Sequence, residues 1–115
     1  MYVAVGRFTL REKSALFKFL RMSKRIEEEA QAFEACLDVN LMGGTSKTFY
    51  VATLWSDMQE MGKFVESGTH LEAMKMTSEL SDEIRLLYFE GDKLPSKIET
   101  QRLIDEHPKV RVLKF

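Results

Sequence analysis

Three segments of this chain carry apolar residues in both registers of a strand, and a strand of that kind has two surfaces to keep from water. Tyr2 to Leu10 sets Val3 and Val5 against Tyr2, Ala4 and Phe8. Lys47 to Trp55 sets Tyr50, Ala52 and Leu54 against Phe49, Val51 and Trp55, and Glu83 to Glu90 sets Ile84, Leu86 and Tyr88 against Leu87 and Phe89. Such strands belong inside a sheet with cover on both sides. At 115 residues the chain has apolar material for one compact domain, residues 1–115, with 95–115 as a C-terminal extension.

The remaining segments supply an edge strand and the helices. Phe33 to Leu41 alternates, with Phe33, Ala35, Leu37, Val39 and Leu41 on one face and Glu34, Cys36, Asp38 and Asn40 on the other, which predicts a strand with one wet face. Gly43 and Gly44 then predict a hairpin turn tolerant of positive φ, and no lysine-containing phosphate loop surrounds them. Thr9 with Glu12 has capping-box spacing and predicts a helix from Leu10 to Glu28, its apolar stripe being Leu16, Phe19, Leu20 and Ile26. The acidic run Glu27, Glu28, Glu29 opposes the dipole at that helix's end and predicts fraying or a break there.

The same spacing recurs at Ser56 with Gln59 and at Thr69 with Glu72. The first predicts a short helix whose stripe is Met58, Met61, Phe64 and Val65, and the second a helix from His70 to about Leu80 with His70, Ala73, Met74 and Thr77 on one face. Ser96 with Glu99 marks a last helix, Pro108 stops it, and Val110 to Phe115 reads as a final strand. The order β-α-β-β-α-α-β with an α-β tail predicts an α+β, ferredoxin-like antiparallel sheet with its helices on one face. The other face would then be bare and apolar, which predicts a homodimer formed sheet against sheet, with the tail strand adding to the partner's edge.

Charge and cysteine usage narrow the function classes. Lysine and arginine number 17 against 18 acids, so no net field attracts nucleic acid or an anionic membrane. The single cysteine, Cys36, has no intramolecular partner and no second ligand at metal spacing, and no signal peptide or bilayer-length apolar run is present. Cytoplasmic residence, no metal and no cofactor are the expectations. Serine-nucleophile, dinucleotide and histidine-pair motifs are missing as well.

Candidate chemistry gathers around the centre of the chain. Gly6, flanked by Ala4 and Phe8 on one strand face, predicts a hollow beneath the helices, roofed by Met61, Phe64 and Met74. His70, in the first turn of its helix, is the candidate base or acceptor, and Trp55 is the candidate ring for stacking and for orienting a ligand oxygen through its indole N–H. Each has a plain structural reading beside it: the imidazole satisfying a backbone group, the indole and the Met and Phe side chains serving as core. His107, before Pro108, reads as a helix terminator, and the carboxylates of Glu34 and Asp38 read as a solvated edge.

The segment Thr53 to Met74, TLWSDMQEMGKFVESGTHLEAM, carries a resemblance. Thr53, Trp55, Phe64, His70, Ala73 and Met74 resemble a pattern in the antibiotic-biosynthesis-monooxygenase-like superfamily of dimeric α+β barrels, in its spheroidene-monooxygenase-like or uncharacterised branch. That resemblance implies a homodimeric barrel binding a small aromatic or apolar molecule, with cofactor-independent oxygenation as one activity. The heme-degrading branch is similar along AVGRFTL, yet its Asn, Trp and His fall on Gly6, Phe64 and Met74, so its iron chemistry is not implied. A non-catalytic dimerisation or protein-interaction module is the alternative, and a cavity around Gly6 and His70 discriminates between the two.

Overall fold

The computed structural model describes residues 1–115, the side chain of Thr69 excepted. The strands are β1 (Tyr2–Leu10), β2 (Cys36–Gly43), β3 (Thr48–Trp55), β4 (Ser81–Glu90) and β5 (Arg111–Lys114); the helices are α1 (Leu16–Gln31), α2 (Met58–Val65), α3 (Gly68–Leu80) and α4 (Lys97–Glu106). One antiparallel sheet runs in the order β2-β3-β1-β4-β5. The three strands apolar on both sides are its three central ones, so β1 has both edges paired and two surfaces to bury. The architecture is the expected α+β, ferredoxin-like one with an added helix and strand.

Register divides the side chains between the faces. Val3 lies opposite Leu54 and Phe89, and Val5 opposite Ala52 and Leu87, on one face; Ala4 lies opposite Thr53 and Tyr88, and Gly6 opposite Val51 and Leu86, on the other. Helices α1, α2 and α3 lie over the Ala4–Gly6–Phe8 face. The Val3–Val5 face is not bare, because α4 lies across it: Val3, Val5, Met42, Tyr50, Ala52, Leu54, Leu87 and Ile104 form one buried cluster, with Leu94, Leu103 and Val110 packed against it. Helices therefore sit on both faces, and the expectation of a surface awaiting a second copy fails at this point. The tail strand likewise pairs with β4 of its own chain, Ile84 opposite Leu113 and Arg85 opposite Val112, so the open edge moves out to β5.

Charges tie α4 down at its margin. Arg7 on β1 donates from Nη1 to Asp105 Oδ1 at 2.8 Å and stands 3.5 Å from Glu83 Oε1, which also accepts from Arg85 Nε at 2.7 Å. Hydrogen bonding to Arg85 holds the Glu83 carboxyl below the usual range. The helix starts as its sequence indicates: Ser96 accepts from the Glu99 backbone N–H while the Glu99 side chain accepts from the Ser96 N–H, a complete capping box. His107 ends it as C-cap.

The other helix starts are displaced from their expected places. Thr9 remains in β1, a 3₁₀ turn covers Lys13–Ala15, and α1 begins six residues late with no side-chain cap. Strand pairing of Thr9 with Thr48 and Glu83 takes the backbone that a cap at Thr9 would use. The Glu27–Glu29 run does not break α1, which continues to Gln31; Lys24 and Arg25, one turn upstream, pair with Glu27 at 3.3 Å and Glu29 at 3.6 Å and offset the dipole. Asp57, not Ser56, caps α2, accepting from Glu60 N at 2.8 Å. Ser67 caps α3, and the capping role expected of the Thr69 side chain lies outside the described residues.

Two details of the hairpin also differ. β2 begins at Cys36, and a register shift between Cys36 and Asp38 leaves Leu37 49% exposed, whereas Ala35 and Val39 are partly buried. Neither Gly43 nor Gly44 has positive φ. Gly44 is needed for close approach: a Cβ there would collide with Thr48 Oγ1 and touch the Tyr50 ring.

If α4 supplies the cover for its face, its one fully buried anchor should matter and its outward apolar residue should not. Ile104 is 1% exposed and Ile98 is 70% exposed. Ile104→Ala should cost about 2–4 kcal/mol in chemical denaturation and Ile98→Ala less than about 0.5 kcal/mol. Equal effects would show that α4 does not hold the sheet as described.

Candidate ligand cavity

The second face is covered less completely. Between β1, β3 and β4 below and α1, α2 and α3 above lies a cavity of about 360 Å³, a volume in the range of small-molecule sites. The reason is local. β1 presents Ala4 and Gly6 in succession on this face, two positions with little or no side chain, so nothing from the central strand fills the space under the helices. At Gly6 itself the room is shared: a Cβ would come within 3.1 Å of Leu86 Cδ2 and 3.4 Å of Phe8 Cε2. The hollow thus opens beside Gly6, with Leu86 and Phe8 leaning over the glycine.

Gly6, Phe8, Trp55, Met61, Phe64, His70 and Met74 all border this one cavity. The structure brings together the seven residues singled out in sequence, with Ala73 and Thr77 beside them on α3. Phe64 is the pivot of the aromatic wall. Its ring centroid lies 5.0 Å from Phe33, 5.3 Å from Trp55 and 5.1 Å from His70, separations at which edge and tilted contacts are favourable. Val39, Leu41, Val51 and Leu86 extend the apolar lining.

His70 is held rather than free. As the third residue of α3, it donates its backbone N–H to the Ser67 hydroxyl, and its ring Nδ1 lies 3.1 Å from the Val65 carbonyl oxygen. A carbonyl only accepts, so Nδ1 carries the proton and Nε2 keeps its lone pair. Burial pushes the imidazole pKa below its ordinary value, against the opposing pull of the Val65 carbonyl. The ring therefore stays neutral and its Nε2 is an acceptor. Satisfying a backbone group and presenting a base are compatible here, since different nitrogens do each.

Trp55 behaves differently from its expected role. It is 1% exposed, and its indole Nε1–H donates to Thr53 Oγ1 at 2.8 Å. The indole proton is already spent, so Trp55 supplies an apolar surface while the polar group of that strand end is Thr53. Residues not singled out also border the cavity: Ser23 and Glu27 from α1, Tyr88 from β4 and Arg111 from β5. Burial raises the Tyr88 phenol pKa, with nearby Arg111 pulling it down. Arg111 reaches this site only because β5 pairs with β4, a juxtaposition that no local spacing announces. The carboxylates of Glu34 and Asp38 do not meet here, and Asp38 Oδ1 instead accepts from the Val39 N–H. Cys36 is a half-buried thiol whose pKa burial raises, which marks it as inert. Among the described residues no group of three His, Cys, Asp or Glu is placed to hold a metal ion, and no helix is long and apolar enough to cross a membrane.

Comparison with known proteins rests on shape. No protein-family model and no curated protein matches the sequence. Solved structures do match. A conserved protein from Methanosarcina mazei Go1 is similar with a TM-score of 0.73 at 17% identity, over 79% of this chain and 92% of that one. SnoaB, a cofactor-independent oxygenase from Streptomyces nogalater, matches with a TM-score of 0.71 at 16% identity, over 83% and 97%. An antibiotic biosynthesis monooxygenase matches with a TM-score of 0.72 at 10% identity, covering 81% of this chain and all of that one. The chain therefore has the α+β, ferredoxin-like fold of the antibiotic biosynthesis monooxygenases.

Proposed function

We propose that this protein binds a small aromatic or largely apolar molecule between its sheet and helices α1–α3, and oxygenates it without a metal or organic cofactor. The observation that carries the reading is the cavity of about 360 Å³ lined by soft and aromatic side chains with few polar groups. It supports this reading over the alternative of a non-catalytic module, for which that space would be filled. The similarity to a cofactor-independent oxygenase supports the reaction class.

His70 is the proposed base, with Gly6, Phe8, Trp55, Met61, Phe64 and Met74 as the ligand-binding surface. A substrate that supplies its own electrons needs little more. A CH₂ group activated by adjacent aromatic or carbonyl groups gives a proton to Nε2, the resulting carbanion reacts with O₂, and the products are a carbonyl and water. The apolar wall keeps bulk water from the carbanion. A low pKa suits His70 to this task by keeping Nε2 unprotonated at neutral pH.

Pairing of two copies and a cytoplasmic setting are also part of the proposal. With the Val3–Val5 face covered by α4, the support for pairing is now the two open sheet edges, β2 and β5, where Leu37, Val112 and Phe115 are exposed. Sedimentation at micromolar concentration should give twice 13.4 kDa; a single-chain mass removes this element.

Two measurements on His70 test the site. Anthrone, as substrate probe, should bind with one molecule per chain and consume O₂, and His70→Ala should slow turnover by about 10²–10³-fold while weakening binding less. Unchanged turnover would exclude the base role. The second measurement follows proton linkage. Because the folded state lowers the His70 pKa, the unfolded chain takes up the proton first as pH falls; the contribution to stability is full above the unfolded value of about 6.5 and is lost below it. Stability should fall between pH 7 and pH 5 in the wild type and fall less in His70→Gln, and parallel curves would contradict the assigned burial.

A further inference from the structure

We infer that Thr53 is the hydrogen-bond donor to the ligand on the sheet wall of the cavity, and that Trp55 is the residue that positions it. This rests on the ligand-binding reading above and names the chemical feature the ligand must bring: an acceptor oxygen, such as a ketone carbonyl, on an otherwise apolar body.

The protons at this strand end can be counted. A threonine hydroxyl has one proton to give and two lone pairs to receive. Thr53 Oγ1 receives the indole N–H of Trp55 at 2.8 Å. Among the described residues, the one side-chain hydrogen bond of Thr53 is this one, in which it accepts. The indole also packs on the Phe64 ring, 5.3 Å away, which limits its movement. The proton is left to point elsewhere. Register places Thr53 between Ala4 of β1 and Val39 of β2, and the small Ala4 leaves the cavity side of the hydroxyl uncovered.

Thr77 on the helical wall makes the contrast, while Ser23 of α1, the Tyr88 phenol of β4 and Arg111 of β5 border the cavity elsewhere. Thr77, 3% exposed, has already given its proton to the Ala73 carbonyl at 2.7 Å. Thr53 therefore holds an unspent donor on the floor of the cavity, as His70 Nε2 holds an unspent acceptor on its roof, with Phe64 between the Trp55 and His70 rings. Thr53 is half-buried, and a ligand that covers its hydroxyl without accepting from it leaves the donor unpaired at a cost, so a ligand oxygen that meets it is favoured over the same ligand without that oxygen.

The test compares 9-fluorenone with fluorene, which share a ring skeleton and differ in the carbonyl oxygen. By titration, the wild type should bind fluorenone about five- to tenfold more tightly than fluorene, the worth of one neutral hydrogen bond. Thr53→Val should abolish that preference without weakening fluorene binding, and Thr53→Ser should retain it. In the infrared spectrum, the bound ketone stretch should move to lower frequency in the wild type and in Thr53→Ser, and should broaden in Trp55→Phe, which keeps the hydroxyl and removes its guide. Because Thr53→Val also frees the indole N–H, the double variant Thr53→Val/Trp55→Phe decides: a preference that survives in it would show that another group of the lining, such as Tyr88 or Arg111, meets the ligand oxygen and would overturn the inference. Equal binding of the two probes by the wild type, or an unshifted ketone stretch, would overturn it and leave the cavity reading standing, whereas failure to bind either probe would overturn both.

Discussion

A strand paired along both edges and apolar on both faces is the constraint on which this structure depends. β1 is that strand, and its neighbours β3 and β4 share the property. Each face has to be dried by something, and the chain carries two separate sets of helices for the purpose. Helices α1–α3 come from the connections between strands, while α4 comes from the tail and crosses to the opposite side. Once α4 is seated through Ile104, with Arg7 and Asp105 closing its margin, the sheet is enclosed within one chain.

The two covers differ in quality, and that difference gives the molecule its chemistry. Under α4 the side chains of Val3, Val5, Leu54 and Leu87 stand up from the sheet and meet the helix. Under α1–α3, β1 offers Ala4 and Gly6, and the gap is bordered by long adaptable side chains on the helices. The result is a largely apolar space in which His70 and Thr53 have defined hydrogen-bond states. Val65 and Thr53 set those states: the former takes one proton of the His70 ring, and the latter takes the indole proton and so turns its own outward.

Much of this was legible in the sequence because it is written at short range. Two-sided apolar strands, the Ser96–Glu99 cap and the helical spacing of Met61 with Phe64 and of His70 with Met74 are local patterns, and the structure realises them. The residues around the cavity were legible for the same reason, since a glycine on a strand and a stripe on a helix each mark their own side. What was not legible depends on competition or on distance. Thr9 has the spacing of a cap but also a place in a strand, and the strand wins. Ser56 and Asp57 both have capping side chains, one residue apart, and only the backbone decides between them. Glu27 and Glu29 look disruptive until Lys24 and Arg25 are seen to face them. The side of the sheet taken by α4, and with it the position of Arg111, depends on a crossing of the chain that no spacing encodes.

The central claim is that the sheet is tightly covered by α4 on one face and loosely by α1–α3 on the other. Diffraction from crystals under xenon pressure tests it directly, because xenon enters dry apolar cavities. The account requires xenon density beside Gly6, Phe64 and Met74 and none between α4 and the sheet. Density beneath α4, or no site on the α1–α3 face, would contradict it.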